Sequence, residues 1–288
     1  MINTLIDRNW LSLNGSSERL IGYRFHGELY ETYQLLDKML ISLAGMEGVL
    51  IPHSCNTLLP TEVLDRIGFF DKLPANPMFA LPHIPPTQPG SKLVLSPSTC
   101  YHTFAALENK IHQNAPTLYT AKGECHRFEP DVNALGRLVN FTMREFILIG
   151  PPTDVIHFCD RIFERILRFL NYIDDNFRQE TANDVFYGEN SVVTQKIQRA
   201  LGVKKEVITS CHIGNALSVG SRNYHRNLFT EKFNIHTHSP NEELHSSCVA
   251  FGMERLLLSL ISKIPEFNNT LLYERINEAS LCVEEERA

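Results

Sequence analysis

Three arginines, two glutamates and two cysteines stand in patterns that could do chemistry. In HSSCVAFGMER, residues 245–255, Cys248 follows His245 by three positions and Arg255 follows Cys248 by seven. The stretch can be read as a thiol nucleophile with its base, as part of a metal site, or as a packed strand running into a helix. In GECHRFEP, residues 123–130, Arg127 and Glu129 lie two apart, a spacing that puts both on one face of a strand. Together they can grip a phosphate and an amine, or form a surface ion pair worth little to stability. Cys125 shares their parity and His126 points the other way, so these two read as packing residues rather than a catalytic pair.

No GxGxxG, GxxxxGK[ST] or GxSxG motif occurs. A bound nucleotide would therefore depend on side-chain cations, and the candidates are Arg127, Arg137 and Arg255. Arginine offers a planar fork of donors that matches phosphate and stacks on flat rings. Taken singly, each is as well explained as a solvated surface residue. The seven cysteines are odd in number, irregularly spaced and free of CxxC. A disulfide framework is not expected, and reduced thiols suit the cytoplasm. His236 and His238, and the pair Cys211 and His212, read as loop or core residues.

These residues need a frame. The 288 residues, 43% of them hydrophobic, suffice for a sizeable core. Net charge is -6, which argues against a broad cationic surface for nucleic acid. The first residues do not read as a signal peptide, and no apolar run is long enough to span a membrane. Residues 20–45 read as one helix, with Gly45 as its C-cap. GVLIPHS and LVLSP read as short strands, and STCYHTFAALENKIH as a turn becoming a helix. TLYTAKGECHRFEP and LVNFTMREFILIG read as two strands joined by a polar loop, an antiparallel hairpin. A long helix follows from Pro152, with Asp154 near its cap and Val155, Phe158, Ile162, Ile166, Phe169, Leu170 and Ile173 as its apolar face. Residues 203–235 alternate between strand-like and polar loop-like stretches. SSCVAFG then reads as a strand and MERLLLSLISKI as a helix. The pattern favours an antiparallel α+β domain over a doubly wound sheet.

In combination these stretches resemble a known family. GECHRFEP…LGRLVNFTMREFILIG looks like motif 2 of class II aminoacyl-tRNA synthetases, and CVAFGMERLLLSLI looks like motif 3. LIGYRFHGELYETYQLLDKML stands where motif 1, the dimer-forming helix, would be. More narrowly, PSTCYHTF, MREF, NYHRNLF and CVAFGMER resemble the amino acid:[carrier protein] ligases, truncated relatives of the atypical zinc-dependent seryl-tRNA synthetases. The resemblance implies one class II synthetase-like catalytic domain over 1–288, with 1–19 as an N-terminal extension and no tRNA-binding arm. It also implies ATP-dependent activation of a small amino acid such as glycine or alanine. The aminoacyl group would then pass to the phosphopantetheine thiol of a carrier protein. Aminoacylation of tRNA and a non-catalytic paralogue are the alternatives.

Carried over residue by residue, the resemblance makes Cys100, Glu145 and Cys248 zinc ligands. Arg127 and Arg255 become the catalytic cations on ATP and its Mg²⁺. Glu129, Arg137, Leu138, Lys204, Ser218, Val219, Gly220 and Ser221 complete the ATP site, and Glu129 and Glu145 bind the amino acid substrate. A homodimer in the cytoplasm is expected, with tRNA unlikely as a partner. The motif 2 loop is one residue longer than the family pattern, and a second arginine often found after the first is missing. Neither Arg222 nor His245 receives a role.

Overall fold

The computed structural model describes residues 1–288 except 16–19, 74–75, 82–91, 129–136, 183–191, 193–195, 197–198, 212–213, 240 and 286–288, and it leaves out the side chains of 214–215. The chain opens with helix α1 (Ile2–Asp7) and the antiparallel strands β1 (Leu11–Gly15) and β2 (Leu20–Phe25). Helix α2 (Gly27–Gly45) leads into β3 (Leu50–Ser54). Next come β4 (Leu58–Pro60), α3 (Thr61–Arg66), α4 (Phe69–Lys72), β5 (Phe79–Ala80) and β6 (Leu93–Leu95), whose strands form a small separate sheet. Helix α5 (Cys100–Ala106) precedes β7 (Thr117–His126), β8 (Asn140–Gly150) and α6 (Pro152–Ile173). Strands β9 (Arg178–Thr181), β10 (Lys204–Cys211) and β11 (Gly214–Arg226) follow. The chain continues through α7 (Leu228–Lys232), β12 (His245–Gly252), α8 (Met253–Ile261) and α9 (Asn269–Glu285).

Seven strands form the central sheet in the order β3-β7-β8-β12-β11-β10-β9. Only the β3–β7 pair is parallel, so the expected antiparallel α+β architecture is what forms. The β7–β8 hairpin forms as read, in register from Thr117↔Ile149 to His126↔Asn140. Period-2 alternation then sorts its side chains. Phe146 and Leu148 join Val249 and Phe251 on the back face, in a core built with α2, α6, α8 and α9. Ile147, Ile149 and Cys248 take the front face, against Phe104, Phe229 and Phe233 of the short helices.

Four readings of the sequence are corrected. Residues 20–25 are a strand and not the first turns of a helix. Tyr23 and Phe25 pack on the core while Arg24 between them is exposed, the two-residue repeat of a strand. The break falls at Gly27, whose φ of 50° is left-handed and starts the helix afresh. At the other end α2 runs through Gly45 and stops at Met46 in right-handed conformation, so Gly45 is not its cap. Asp154 makes no side-chain capping bond; it lies in the first turn of α6, where a carboxylate suits the helix dipole. The polar stretch 214–226 is not a loop but continuous strand, because both its edges are paired.

Candidate active site

The front of β8 carries one charged residue among apolar ones. Glu145 lies between Met143 and Ile147 and is fully buried. Its Oε1 accepts from Ser98 Oγ at 2.7 Å, Thr99 N at 2.9 Å, Thr99 Oγ1 at 2.8 Å and Cys100 N at 3.2 Å. The loop that supplies these donors is itself tied down. Ser96 N bonds Thr57 O at 2.8 Å, Ser96 Oγ bonds Ser98 O at 2.9 Å, and His126 N bonds Ser96 O at 2.8 Å. Glu145 Oε2 is equally buried and has no hydrogen-bond partner. A buried acceptor left unpaired costs roughly 1–3 kcal/mol, so this oxygen is a candidate ligand atom.

Four cysteines lie near enough to the Glu145 carboxylate to feel its charge. Cys100 is buried at the start of α5 and Cys248 in the middle of β12, and their side chains hydrogen-bond one another. That bond draws the Cys100 thiol down, but burial and the Glu145 carboxylate outweigh it and leave the thiol raised. The same bond, burial and Glu145 push Cys248 well above its ordinary value. Cys125, fully buried with Met143 and Ala250, is raised by burial in spite of Arg127. Cys55 is pushed up to about 12 by burial, by Glu145 and by Cys100. Each of these shifts disfavours the thiolate, so none of the four cysteines reads as an activated nucleophile. Two sulfurs and a spare carboxylate oxygen are the donor types zinc takes. As placed they do not close around a point: among the described residues no group of three or more His, Cys, Asp and Glu side chains is arranged to hold a metal ion.

The expected nucleotide residues divide. Arg127 Nε donates to Pro97 O at 3.0 Å and its guanidinium lies over the Phe141 ring at 5.3 Å. Arg127 is therefore anchored to the same 96–100 loop that holds Cys100. Arg255 Nη1 donates to Ser218 O at 2.8 Å, which joins the first turn of α8 to β11. Ser221 Oγ accepts from Asn223 Nδ2 at 3.1 Å, and Asn223 is paired across the sheet with Cys248. Val219, by contrast, is buried in the helical core behind the sheet. A side chain at Gly220 would come within 2.4 Å of the Phe251 ring, so this glycine makes room for packing. Lys204 pairs with Glu206 at 3.1 Å. Leu138 is buried and Arg137 is exposed beside it. Glu129 lies outside the described residues.

Sequence reading missed several members of the site. Ser98 and Thr99 hold Glu145, and Asn223 and His225 both reach Cys248 Sγ, at 3.8 Å and 3.5 Å. Asn223 and His225, two apart, both carry a strand-parity signal once β11 is taken as one strand. Arg222, without a role in the sequence, is buried and pairs with Asp160 of α6 at 3.2 Å. His245 hydrogen-bonds the Tyr224 hydroxyl and pairs with Glu243 at 2.9 Å. It has no contact with Cys248 that would make it that thiol's base.

No protein-family model matches the chain. The chain is 33% identical over 171 residues to amino acid–[acyl-carrier-protein] ligase 2 of Bradyrhizobium diazoefficiens, covering 58% of this chain and 50% of that protein. Ligase 1 of the same organism is 32% identical over 171 residues, covering 58% of this chain and 52% of the relative. The chain thus spans about half the length of the curated relatives it matches. In structure it is similar to the M. kandleri seryl-tRNA synthetase solved with A. aeolicus tRNASec, with TM-score 0.78 and 17% identity over 96% of this chain and 60% of that one. The Pyrococcus horikoshii seryl-tRNA synthetase complexed with ATP gives TM-score 0.71 at 12% identity, over 96% and 62%. The fold is that of a class II aminoacyl-tRNA synthetase catalytic domain.

Proposed function

We propose that the chain activates a small amino acid with ATP and passes it to the phosphopantetheine thiol of a carrier protein. The observation that carries this reading is Glu145, buried with one oxygen bound by the 98–100 loop and the other unanswered beside two thiols. Similarity to the two ligases supplies the acceptor class. In the first half-reaction an oxygen of the amino acid carboxylate attacks the α-phosphorus of ATP, and pyrophosphate leaves. Arg127 and Arg255, with Mg²⁺ on the phosphates, take up the developing charge, which is electrostatic catalysis with little proton transfer. Both arginines are held by backbone carbonyls, so their positions are set before substrate arrives. Glu129, Arg137, Leu138, Lys204 and Ser218–Ser221 form the rest of the nucleotide site in this reading. Ser218 and Ser221 can serve it with their side chains, whereas Val219 and Gly220 contribute backbone alone. In the second half-reaction the carrier's thiol sulfur attacks the adenylate carbonyl, the thioester forms and AMP leaves.

Cys100, Glu145 and Cys248 would hold zinc, with Glu145 Oε2 as the oxygen donor. Such an ion would favour the unprotonated α-amine of the substrate, as it favours hydroxide over water. That preference selects amino acids over hydroxy acids, and pocket volume then selects among side chains. A homodimer through α2 and neighbouring strands, in the cytoplasm, completes the proposal. The testing experiment offers the adenylating protein two acceptors, holo-carrier protein and tRNA. Thioester on the carrier supports the reading, and charging of tRNA alone supports the synthetase alternative. Nucleotide binding without either product supports a non-catalytic paralogue.

A further inference from the structure

The 96–100 loop, between β6 and α5, holds two residues of the site by its own polar groups. Ser96 O accepts from His126 N at 2.8 Å, Pro97 O from Arg127 Nε at 3.0 Å and Ser98 O from Ser96 Oγ at 2.9 Å. On the donor side, Ser98 Oγ, Thr99 N, Thr99 Oγ1 and Cys100 N converge on Glu145 Oε1. Arg127 and Glu145 are thus placed by one short segment. The Ser96 hydroxyl closes that segment from within, tying residue 96 to residue 98 around Pro97. A hydroxyl rotates to suit its partners, and it is fixed when both its proton and its oxygen are engaged. The proton goes to Ser98 O. The oxygen meets His102 Nε2 at 3.0 Å, and with the hydroxyl proton already used, that nitrogen is the donor. Ser96 is buried, so bulk water does not stand in for this donor.

We infer that His102 is a positioning residue for both halves of the site: its Nε2–H fixes the Ser96 hydroxyl, and with it the turn that aims Pro97 O at Arg127 and the Ser98 hydroxyl at Glu145. The inference rests on the proposed function, in which Arg127 meets ATP and Glu145 serves the amino acid. It is the same whether Glu145 reaches the substrate amine directly or through an ion. His102 stands on an anchored element. Two residues along α5, Phe104 is fully buried and stacks on Phe229 at 4.4 Å and on Phe233 at 6.1 Å. A donor on that fixed post sets the hydroxyl, and the hydroxyl sets the loop. Without it the Ser96 side chain is free to turn and release Ser98 O, which loosens Arg127 and Glu145 together. Small displacements matter at such a site, since misplacing a group by about 1 Å can cost on the order of 100-fold in rate.

The test compares wild type with His102→Leu, His102→Gln, Ser96→Ala and the Leu–Ala double variant. ATP–pyrophosphate exchange is measured with glycine, alanine and serine in turn, and folding is followed by urea unfolding. His102→Leu keeps bulk and loses the donor; kcat is expected to fall about 10–100-fold, with KM for ATP changing less. His102→Gln restores an N–H donor at the place of Nε2 and recovers most of the rate. Ser96→Ala lowers kcat as His102→Leu does, and the double variant falls no further than the worse single one, because both remove the same tie. A role confined to stability would lower the urea midpoint and leave the kcat of folded protein alone. Wild-type kcat in His102→Leu or in Ser96→Ala, or a Gln variant no better than Leu, would overturn the inference while the proposed function stands. Wild type that exchanges with none of the three amino acids would overturn that function and the inference with it. If His102→Leu does not fold, Ser96→Ala decides by the same loss or its absence.

Discussion

On the back of the central sheet Arg144 meets Asp37, and Arg222 meets Asp160; on the front, Glu145 has one oxygen crowded with donors and the other with none. Arg144 and Glu145 are neighbours in sequence and point to opposite sides. Arg144 Nε and Nη2 bond the two Asp37 oxygens at 2.7 and 2.8 Å, and Lys122 adds a contact at 2.9 Å. This closed network ties α2 to the strand that bears Glu145. The front arrangement is left open and gives up stability, as groups reserved for a ligand do. The two-residue alternation of its strands therefore separates the fastening network from the proposed site.

Substitutions on the two faces should accordingly fail in different assays. Cys248→Ser, on the front, is expected to have the largest functional effect. Zinc and amino-acid-dependent exchange should both fall below detection, while urea unfolding of the metal-free protein moves little. On the back, Asp37→Asn leaves Arg144 buried without its counterion. It should lower stability by about 3–5 kcal/mol, measured by urea unfolding, without altering the metal content of the protein that stays folded. Burial alone would raise the Asp37 carboxyl, but bonds from Arg144 and Lys122 outweigh it and hold it below its ordinary value of 3.8. The native state thus binds fewer protons than the unfolded chain between these two values. The stabilisation is complete above pH 3.8 and is lost as pH falls through the native value, so wild type and variant converge in acid.

Arg255→Ala sits between the faces, because it removes the cation that the proposed function assigns to ATP together with its bond to Ser218 O. Loss of a charge-assisted interaction of about 1.5–3 kcal/mol should appear as weaker ATP use in exchange kinetics with metal binding retained. Glu254→Gln gives the smallest effect and tests a back-face carboxylate that burial, its largest influence, raises above 4.5. Here the native state binds more protons than the unfolded chain, so wild-type stability falls as pH rises from 4.5 through the raised value. Glutamine can still accept from Thr142 N, the present 2.8 Å partner of Glu254 Oε2. A gain on the order of 1 kcal/mol should therefore appear at neutral pH and vanish in acid.

The sequence made some of this legible and hid the rest for physical reasons. The β7–β8 hairpin, α6 and the β12–α8 junction were readable because each has a long, regular apolar period. Strand β2 was hidden by its direct run into α2, where only Gly27 marks the change of period. Parity alone placed Cys125 on the Arg127 side of β7. The meeting of Cys100, Glu145 and Cys248 could not be read from spacing, since three separate elements deliver them. His225 shares the face of Asn223 by parity, which becomes readable only when the polar stretch of β11 is taken as strand. Arg222 and Arg144 show the converse: arginines inside functional stretches that serve the opposite face.

The central claim, that the front-face site around Glu145 activates an amino acid, is tested most directly by ATP–pyrophosphate exchange on metal-loaded protein with glycine, alanine and serine. The account predicts exchange that depends on one of these small amino acids and is abolished in Cys248→Ser. Exchange with none of them, or exchange that survives in Cys248→Ser at the wild-type rate, would contradict it.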